Sequence, residues 1–319
     1  MDSQLTASTI AIRDCMGVKS DETVLIISDE PLREIGYSLW EVSKQYAKDA
    51  IYSEIVPRNS NGQEPPKEVA EFMKIFDVVL IPTSKSLSHT DSRRNASKLG
   101  ARIATLPGIT EDTMIRTLNA DYMEIAKKSS ILADLITRSS KIRITSDNGT
   151  DITMLTDGRK GHPDTGLNHS PGDFSNLPAG EAYVAPLEGT STGKVVIDGS
   201  MAGIGLLGNQ KIIIEVDQGF ATKITGGSQA QRLFSLMEPF GKLAFNLAEL
   251  GIGTNEKAKV IGNVLEDEKA IGTIHVAFGD NKSMGGVIRV ASHLDGVILN
   301  PTVYFDNVTI MNEGKFLIF

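Results

Sequence analysis

The feature that most constrains the fold is a regular alternation of short β-branched runs and helical stretches between about residues 20 and 140. Parallel strands need crossover helices between them and are buried on both faces, so this rhythm predicts βαβ units and a Rossmann-like open parallel sheet. The strand-like runs are Thr23–Ser28, Ile51–Val56, Val78–Pro82 and Arg102–Thr105.

After about Lys141 the pattern changes to paired strands joined by tight turns. Asn148-Gly149 lies between two alternating runs, which is a strong hairpin signal. The polar segment from Gly158 to Gly180 predicts a long surface loop within the second domain. The chain of 319 residues is longer than one core usually supports. We therefore expect a Rossmann-like α/β domain over residues 1–139 and a mixed α+β metal-binding domain over residues 140–319.

Composition narrows the class of protein. The net charge of −8 and the pI near 5.3 argue against nucleic-acid binding, which normally needs a basic face. The single cysteine, Cys15, cannot form an internal disulfide, and the N-terminal residues do not resemble a signal peptide. No apolar run approaches the roughly 20 residues that cross a bilayer. We expect a cytoplasmic protein without membrane or nucleic-acid partners.

Two glycine-rich segments resemble nucleotide-binding loops, but their context does not fit. Gly203–Gly208 and Gly189–Lys194 both precede strand-like runs, whereas a phosphate loop must lead into a helix N-terminus. Tight turns explain both. Ser84–Arg94 follows a predicted strand and is rich in hydroxyl and cationic side chains. It is either one side of a ligand crevice or a solvated loop, because ligand sites in open α/β sheets lie at such strand ends.

The C-terminal part of the chain contains residues typical of a transition-metal site. His275, His293 and Asp295 lie in two glycine-flanked segments, and His293-Leu-Asp295 on an extended strand points both polar side chains to one face. Glu181 and Glu249 lie in similar glycine-rich surroundings, Glu249 at the end of a predicted helix. We expect a metal centre in this half of the chain, with His275, His293 and Asp295 as candidate ligands and with Glu249 able to reach the same cavity. Hydrogen-bonded or exposed histidines at a sheet edge are the alternative.

The order of these motifs resembles the M29 family of metallo-aminopeptidases (aminopeptidase T and leucyl aminopeptidase). The resemblance spans most of the chain and depends on the motif order more than on any one motif. The motifs are Leu177-Pro-Ala-Gly-Glu181, Glu249-Leu-Gly251, Asp267-Glu-Lys-Ala-Ile-Gly-Thr-Ile-His275 and His293-Leu-Asp295.

This resemblance implies a hydrolase that removes N-terminal amino acids from peptides. Glu181, Glu249, His275, His293 and Asp295 would hold two divalent ions (Zn²⁺, Co²⁺ or Mn²⁺) that activate a water molecule. Glu268 would be the catalytic acid/base or a group that supports a ligand. One departure weakens the expectation of peptidase activity: Lys282 stands where the family has a tyrosine.

Two other functions remain open. The same superfamily includes 2,5-dihydroxypyridine 5,6-dioxygenase, which holds one Fe(II) by two histidines and an aspartate, the composition of His275, His293 and Asp295. A binding protein that kept the fold and lost turnover is the other. The substrate would be a small peptide or another small molecule, and analogy with relatives favours a homo-oligomer.

Overall fold

The computed structural model describes residues 3–319, which form two compact units. One unit comprises the chain up to Met123 together with Gly166–Ala179, and the other comprises Glu124–Thr165 and Gly180–Phe319. The helices are α1 (Ser3–Thr9), α2 (Arg33–Tyr46), α3 (Lys67–Phe72), α4 (Asp91–Lys98), α5 (Glu111–Thr117), α6 (Tyr122–Arg138), α7 (Ser228–Met237) and α8 (Val264–Asp267).

The first unit is built around a five-stranded parallel sheet in the order β2-β1-β3-β4-β8. Apolar β-branched residues fill β1 and β3 because both faces of these strands are buried. Its strands are β1 (Thr23–Asp29), β2 (Asp49–Ile55), β3 (Val78–Ile81), β4 (Arg102–Thr105) and β8 (Phe174–Asn176). The predicted Rossmann-like sheet is confirmed. Helix α5 begins after Thr110, whose hydroxyl accepts a hydrogen bond from the Thr113 N–H.

The second unit contains two antiparallel sheets. The eight-stranded sheet has the order β14-β13-β10-β6-β5-β18-β19-β20, and the seven-stranded sheet has the order β12-β11-β17-β16-β15-β9-β7. The strands are β5 (Lys141–Thr145), β6 (Asp151–Leu155), β7 (His162–Asp164), β9 (Glu181–Val184), β10 (Thr192–Ile197), β11 (Ser200–Met201), β12 (Gly205–Leu206), β13 (Ile212–Asp217), β14 (Phe220–Thr225), β15 (Leu247–Gly253), β16 (Thr273–Gly279), β17 (His293–Leu299), β18 (Thr302–Phe305), β19 (Val308–Asn312) and β20 (Lys315–Phe316).

A single apolar cluster lies between these two sheets. It joins residues of the eight-stranded sheet such as Ile144 and Ile214 to residues of the seven-stranded sheet such as Leu250, Ile274 and Val276. Burying this much aliphatic surface supplies most of the free energy that holds the two sheets together. The cluster covers only one face of the seven-stranded sheet, so the other face is available for polar residues.

The structure differs from the sequence-based expectation in four places. Glu249 does not end a helix but lies within strand β15. The predicted loop from 158 to 180 contains β7 and β8, and β8 pairs with β4 in the first unit. The sequence predicts a helix over about residues 229–246, but helix α7 ends at Met237, because Pro239 and Gly241 follow. The units also differ in extent from the two expected domains, since most of α6 belongs to the second unit.

No helix within residues 3–319 is both long enough and apolar enough to cross a membrane.

Candidate metal centre

The five predicted donors lie on four neighbouring strands of the seven-stranded sheet. Glu181 begins β9, Glu249 lies in β15 and His275 in β16, and β17 carries both His293 and Asp295. These strands are consecutive in the sheet. The structure therefore brings together residues that are up to 114 positions apart in the sequence (295 − 181).

Alternation along the strands places the donors on the face opposite the apolar core. In β16, Ile274 and Val276 belong to the core cluster, so His275 between them points to the other face. Directly paired residues of an antiparallel sheet share a face, and Glu249, Ala277 and Asp295 form one such row across three strands. We call this polar side of the seven-stranded sheet the site face.

Gly251 makes room for one of the imidazoles. It pairs with His275 across β15 and β16. A Cβ atom added at Gly251 would overlap the imidazole ring of His275, so only glycine lets the ring lie over the neighbouring strand. The glycine two residues after Glu249 is thus explained by close packing against a candidate ligand.

The donor atoms converge around Glu249. His275 Nε2 is 3.6 Å from Glu249 Oε1 and 3.1 Å from Glu181 Oε2. His293 Nε2 is 3.1 Å from Glu249 Oε2 and 3.4 Å from Asp295 Oδ1. Glu249 is therefore the carboxylate that contacts both imidazoles.

Three sets of possible ligand atoms each lie within 4.8 Å of one another. Each set contains one imidazole, and the first two share Glu249. The sets are Glu181–Glu249–His275, Glu249–His293–Asp295 and Glu268–His275–Asp295.

Unsatisfied buried atoms support a cation at this place. Both ring nitrogens of His275 and Oε2 of Glu181 are buried, and none of them makes a well-directed hydrogen bond within residues 3–319, although His275 Nε2 lies only 3.1 Å from Glu181 Oε2. Buried polar atoms without partners are costly, and a bound cation would satisfy such lone pairs. Imidazole nitrogens and carboxylate oxygens are suitable ligands for first-row transition metals. Metal binding fits the residues that are present.

The ring of His293 is oriented by the backbone. Its Nδ1 donates a hydrogen bond of 2.8 Å to the carbonyl oxygen of Asp280. Because a carbonyl oxygen can only accept, Nδ1 carries a proton and Nε2 is the nitrogen left for a cation.

The charges of the cluster stabilise one another when no metal is bound. Burial alone would lower the pKa of His275, but the carboxylates of Glu181 and Glu249 outweigh it and raise that pKa well above 6.5. Asp295 and Glu249 likewise overcome burial and raise the pKa of His293. Conversely, burial would raise the pKa of Glu249, but the two imidazoles lower it to about 2. A metal ion must therefore displace protons to bind.

Lys269 is a buried cation that sequence reasoning missed. Its Nζ lies 2.6 Å from Glu181 Oε1, 2.7 Å from Glu268 Oε1 and 3.6 Å from Asp164 Oδ2. Glu268 shares this ammonium with Glu181. Burial first, and then the charges of Glu181 and Asp295, raise the pKa of Glu268 to about 8 despite Lys269. Lys269 is one of three consecutive charged residues, Asp267-Glu-Lys269, and nothing in that motif predicts that its side chain is fully buried.

Two aromatic side chains on the site face also had no sequence signal. His162 pairs with Tyr183, and Tyr183 pairs with Gly251, so both rings lie in the same row as His275. The rings of His162 and Tyr183 are stacked, with centroids 5.3 Å apart and planes at 22°. His169, the other histidine of this polar segment, belongs to the first unit and contacts the carbonyl oxygen of Asp14.

The remaining sequence motifs lie outside this cluster. Gly203–Gly208 forms the turn and the second strand of the β11–β12 hairpin, as the strand context had indicated. In the first unit, Ser84 donates its N–H (2.8 Å) and its hydroxyl (2.5 Å) to Asp29 at the carboxyl ends of β3 and β1. The side chain of Lys282 is exposed on the loop after β16.

Known proteins with similar sequence or structure point to one family. A 2,5-dihydroxypyridine 5,6-dioxygenase of Pseudomonas putida is 23% identical over 249 residues, which are 74% of this chain and 70% of that protein. The solved structure of 2,5-dihydroxypyridine dioxygenase from the same species superimposes with a TM-score of 0.84 at 18% identity, covering 100% of this chain and 98% of the other. AmpT from Thermus thermophilus superimposes with a TM-score of 0.70 at 16% identity, covering 99% of both chains.

These findings correct the function expected from the sequence. The fold is shared with the aminopeptidase AmpT, as the resemblance implied, but the interpretation as a hydrolase, aminopeptidase or metalloprotease is wrong. The profile of the family described as NicX, 2,5-dihydroxypyridine 5,6-dioxygenase, matches residues 13–318. The expectation that the protein is an enzyme is confirmed, but the expected class of reaction is not. This chain belongs to the 2,5-dihydroxypyridine 5,6-dioxygenase family.

Proposed function

We propose that the protein is an Fe(II)-dependent dioxygenase that opens a hydroxylated pyridine ring. The observation that carries this proposal is that two imidazoles, each beside Glu249, lie with Asp295 on the site face of a chain that belongs to this family. The reaction would consume one O₂ for each ring. The bond between ring carbons 5 and 6 would break, and both oxygen atoms would enter the product.

His275, His293 and Asp295 would hold the metal ion. Two histidines and one carboxylate are the donor set of non-haem iron oxygenases and leave coordination positions open. The chemistry that Fe(II) supplies when bound is electron transfer that allows O₂ to react with a closed-shell ring. Glu249 contacts both imidazoles and would help to keep their Nε2 atoms directed at one place.

Glu268 would hold the exchangeable proton of the site. Lys269 donates to its Oε1, which leaves Oε2 as the atom that carries the proton. A carboxyl group with a pKa near 8 changes protonation state close to neutral pH, which suits a general acid or base. Its closeness to His275 and Asp295 supports a role in moving a proton to or from a ring hydroxyl.

Tyr183 and His162 would contact the aromatic ring of the substrate. Their stacked rings lie in the same row of the site face as His275, and a planar ring packs well against another ring. Burial, and then the carboxylates of Glu249 and Asp164, raise the pKa of Tyr183. The phenol therefore stays protonated and can donate a hydrogen bond to a substrate oxygen.

The test is oxygen consumption by protein loaded anaerobically with Fe(II). We expect uptake of one O₂ per molecule of 2,5-dihydroxypyridine, loss of the ring absorbance and two ¹⁸O atoms in the product when ¹⁸O₂ is used. Asp295→Asn, which removes the ligand charge and keeps the side-chain size, should abolish uptake. Asp306→Asn, in the turn between β18 and β19, is the matched control and should leave uptake unchanged.

Two results would contradict the proposal. One is the absence of oxygen uptake by Fe(II)-loaded protein with hydroxylated pyridines that differ in hydroxyl position. The other is equal turnover by the wild type and Asp295→Asn.

A further inference from the structure

The loop between β16 and β17, residues 280–292, is fixed to a distant part of the second unit. Its first residue supplies the carbonyl oxygen that accepts from His293 Nδ1. Its middle reaches Arg159, which donates to the carbonyl oxygen of Gly285, and His162, which hydrogen-bonds the backbone of Met284. The loop thus connects the carbonyl group that orients the candidate ligand His293 to residues near strands β7 and β9.

Glu188 is the centre of this connection. Its Oε1 accepts hydrogen bonds from the side-chain amide of Asn281 (2.9 Å) and from the N–H of Val287 (2.8 Å). Its Oε2 pairs with the guanidinium of Arg159. Burial alone would raise the pKa of Glu188, but the Val287 N–H, Asn281 and Arg159 lower it. The carboxylate is therefore charged, and both of its oxygens have partners.

Asn281 transmits this constraint to the site. It is fully buried, and its side-chain oxygen accepts from the N–H of Ile288 at 2.9 Å. Its own N–H donates to the carbonyl oxygen of Ile288 at 3.2 Å. That N–H belongs to the same peptide group as the carbonyl of Asp280. The peptide that orients His293 is therefore held on its other side by a residue that Glu188 fixes.

The close packing of the loop leaves little freedom for rearrangement. A Cβ atom at Gly286 would overlap the side-chain amide of Asn281. The carboxylate of Asp280 accepts from the N–H groups of Lys282 (3.2 Å) and Val290 (3.1 Å), which fixes both ends of the loop to each other. The orientation of the Asp280 carbonyl is thus determined by hydrogen bonds within the loop and by Glu188.

We propose that Glu188 is a positioning residue for the metal centre, which fixes the ring of His293 through Asn281 and the carbonyl of Asp280. The inference rests on the proposed function only in taking His293 as a ligand. Residues that support ligands in this way typically change metal affinity by about 10- to 100-fold when they are removed. Glu188 would act on the metal through geometry, without contact with the substrate.

The experiment is a titration of the metal-free protein with Co²⁺ alone. Calorimetry measures the affinity, and the ligand-field absorption of the bound ion reports its coordination. Glu188→Ala should weaken Co²⁺ binding by about 10- to 100-fold and change the shape of the absorption band, because the His293 ring is no longer fixed. Glu188→Gln keeps an acceptor for Asn281 and Val287, so it should recover most of the affinity and the wild-type band. Glu215→Ala, which removes an exposed pair with Lys223, is the matched control and should bind like the wild type.

A second variant covers the case in which Glu188→Ala does not fold. Asn281→Ser keeps the pairing of Glu188 with Arg159 but interrupts the path to Asp280, so it should show the same altered band. Wild-type affinity and band shape in folded Glu188→Ala, or in Asn281→Ser, would overturn the inference. Failure of the proposed function is distinguishable, because it would show as wild-type protein that binds Co²⁺ yet consumes no oxygen in its Fe(II) form.

Discussion

The two faces of the seven-stranded sheet consist of alternate residues of the same strands, but one face packs in the apolar core and the other carries the polar cluster. Ile274 and Val276 face the apolar core, whereas His275 between them faces the polar cluster, and Leu250 and Glu249 divide in the same way on β15. Neighbouring residues in the sequence therefore have unrelated physical roles. A substitution on the core face should therefore change stability without changing metal binding, whereas a substitution one position away on the site face should remove a metal ligand.

The largest expected effect comes from substituting adjacent residues on opposite faces. Ile274→Ala should lower the free energy of unfolding by about 2–5 kcal/mol, because it leaves a cavity in the core, and should leave Co²⁺ affinity unchanged in the folded protein. His275→Ala should lower Fe(II)-dependent turnover by at least about a thousandfold, equivalent to about 4 kcal/mol. Urea denaturation, Co²⁺ titration and oxygen uptake of both variants check this.

The distinction between the two faces would be wrong if the two substitutions had similar effects on stability, Co²⁺ affinity and turnover. Ile274→Ala with lost cation affinity at full folding, or His275→Ala with normal turnover, would show that the faces are not separate in function.

An intermediate effect is expected from pH in the metal-free protein. The imidazolium–carboxylate contacts of His275 and His293 contribute stability that is complete below their ordinary pKa of 6.5 and is lost as the pH rises through their raised values. Glu268 acts in the same direction, because the folded protein keeps its proton up to a pKa of about 8. The loss approaches about 1.4 kcal/mol per pH unit for each proton released.

Thermal unfolding of chelator-treated protein at increasing pH measures this trend. The Tm should fall above pH 6.5, and saturating Co²⁺ should remove most of the fall, because the ion replaces the protons between the carboxylates. A Tm that rises with pH in the metal-free protein would contradict the charge arrangement of the site face.

The smallest effect concerns Tyr183, the ring contact. Tyr183→Leu should raise the KM for 2,5-dihydroxypyridine by about two- to tenfold, since an aromatic pair is worth about 0.5–1.5 kcal/mol beyond its buried area. Tyr183→Phe keeps the stack on His162 and removes only the phenol hydrogen bond, so its KM should rise less than that of Tyr183→Leu. Equal KM values for all three proteins would exclude a contact between this ring and the substrate.

Part of this arrangement could be predicted from the sequence. The alternation of strand and helix predicted the parallel sheet, and the spacing of His293 and Asp295 placed them on one face of a strand. The sequence predicts Glu249 at the end of a helix, with Gly251 and Gly253 after it. In the structure Gly251 makes room for the ring of His275, and that requirement arises only when β15 and β16 pair.

Long-range pairing explains most of what the sequence did not predict. Phe174–Asn176 is too short and polar to be recognised as a strand, and it becomes one by pairing with β4. The burial of Lys269 and the stacking of His162 on Tyr183 also depend on contacts between separate segments. The wrong choice of an aminopeptidase had another cause. The motifs that carry Glu181 and Glu249 follow the peptidase order, so a comparison of whole chains was needed to separate the two functions.

The most direct test of the central claim is the metal content of the site face. Protein loaded anaerobically with Fe(II), desalted and analysed for iron should retain one ion per chain, and Asp295→Asn should retain much less than one. Iron that is lost from the wild type on desalting, or that is retained equally by Asp295→Asn, would contradict the assignment of His275, His293 and Asp295 as the ligands of a single catalytic iron.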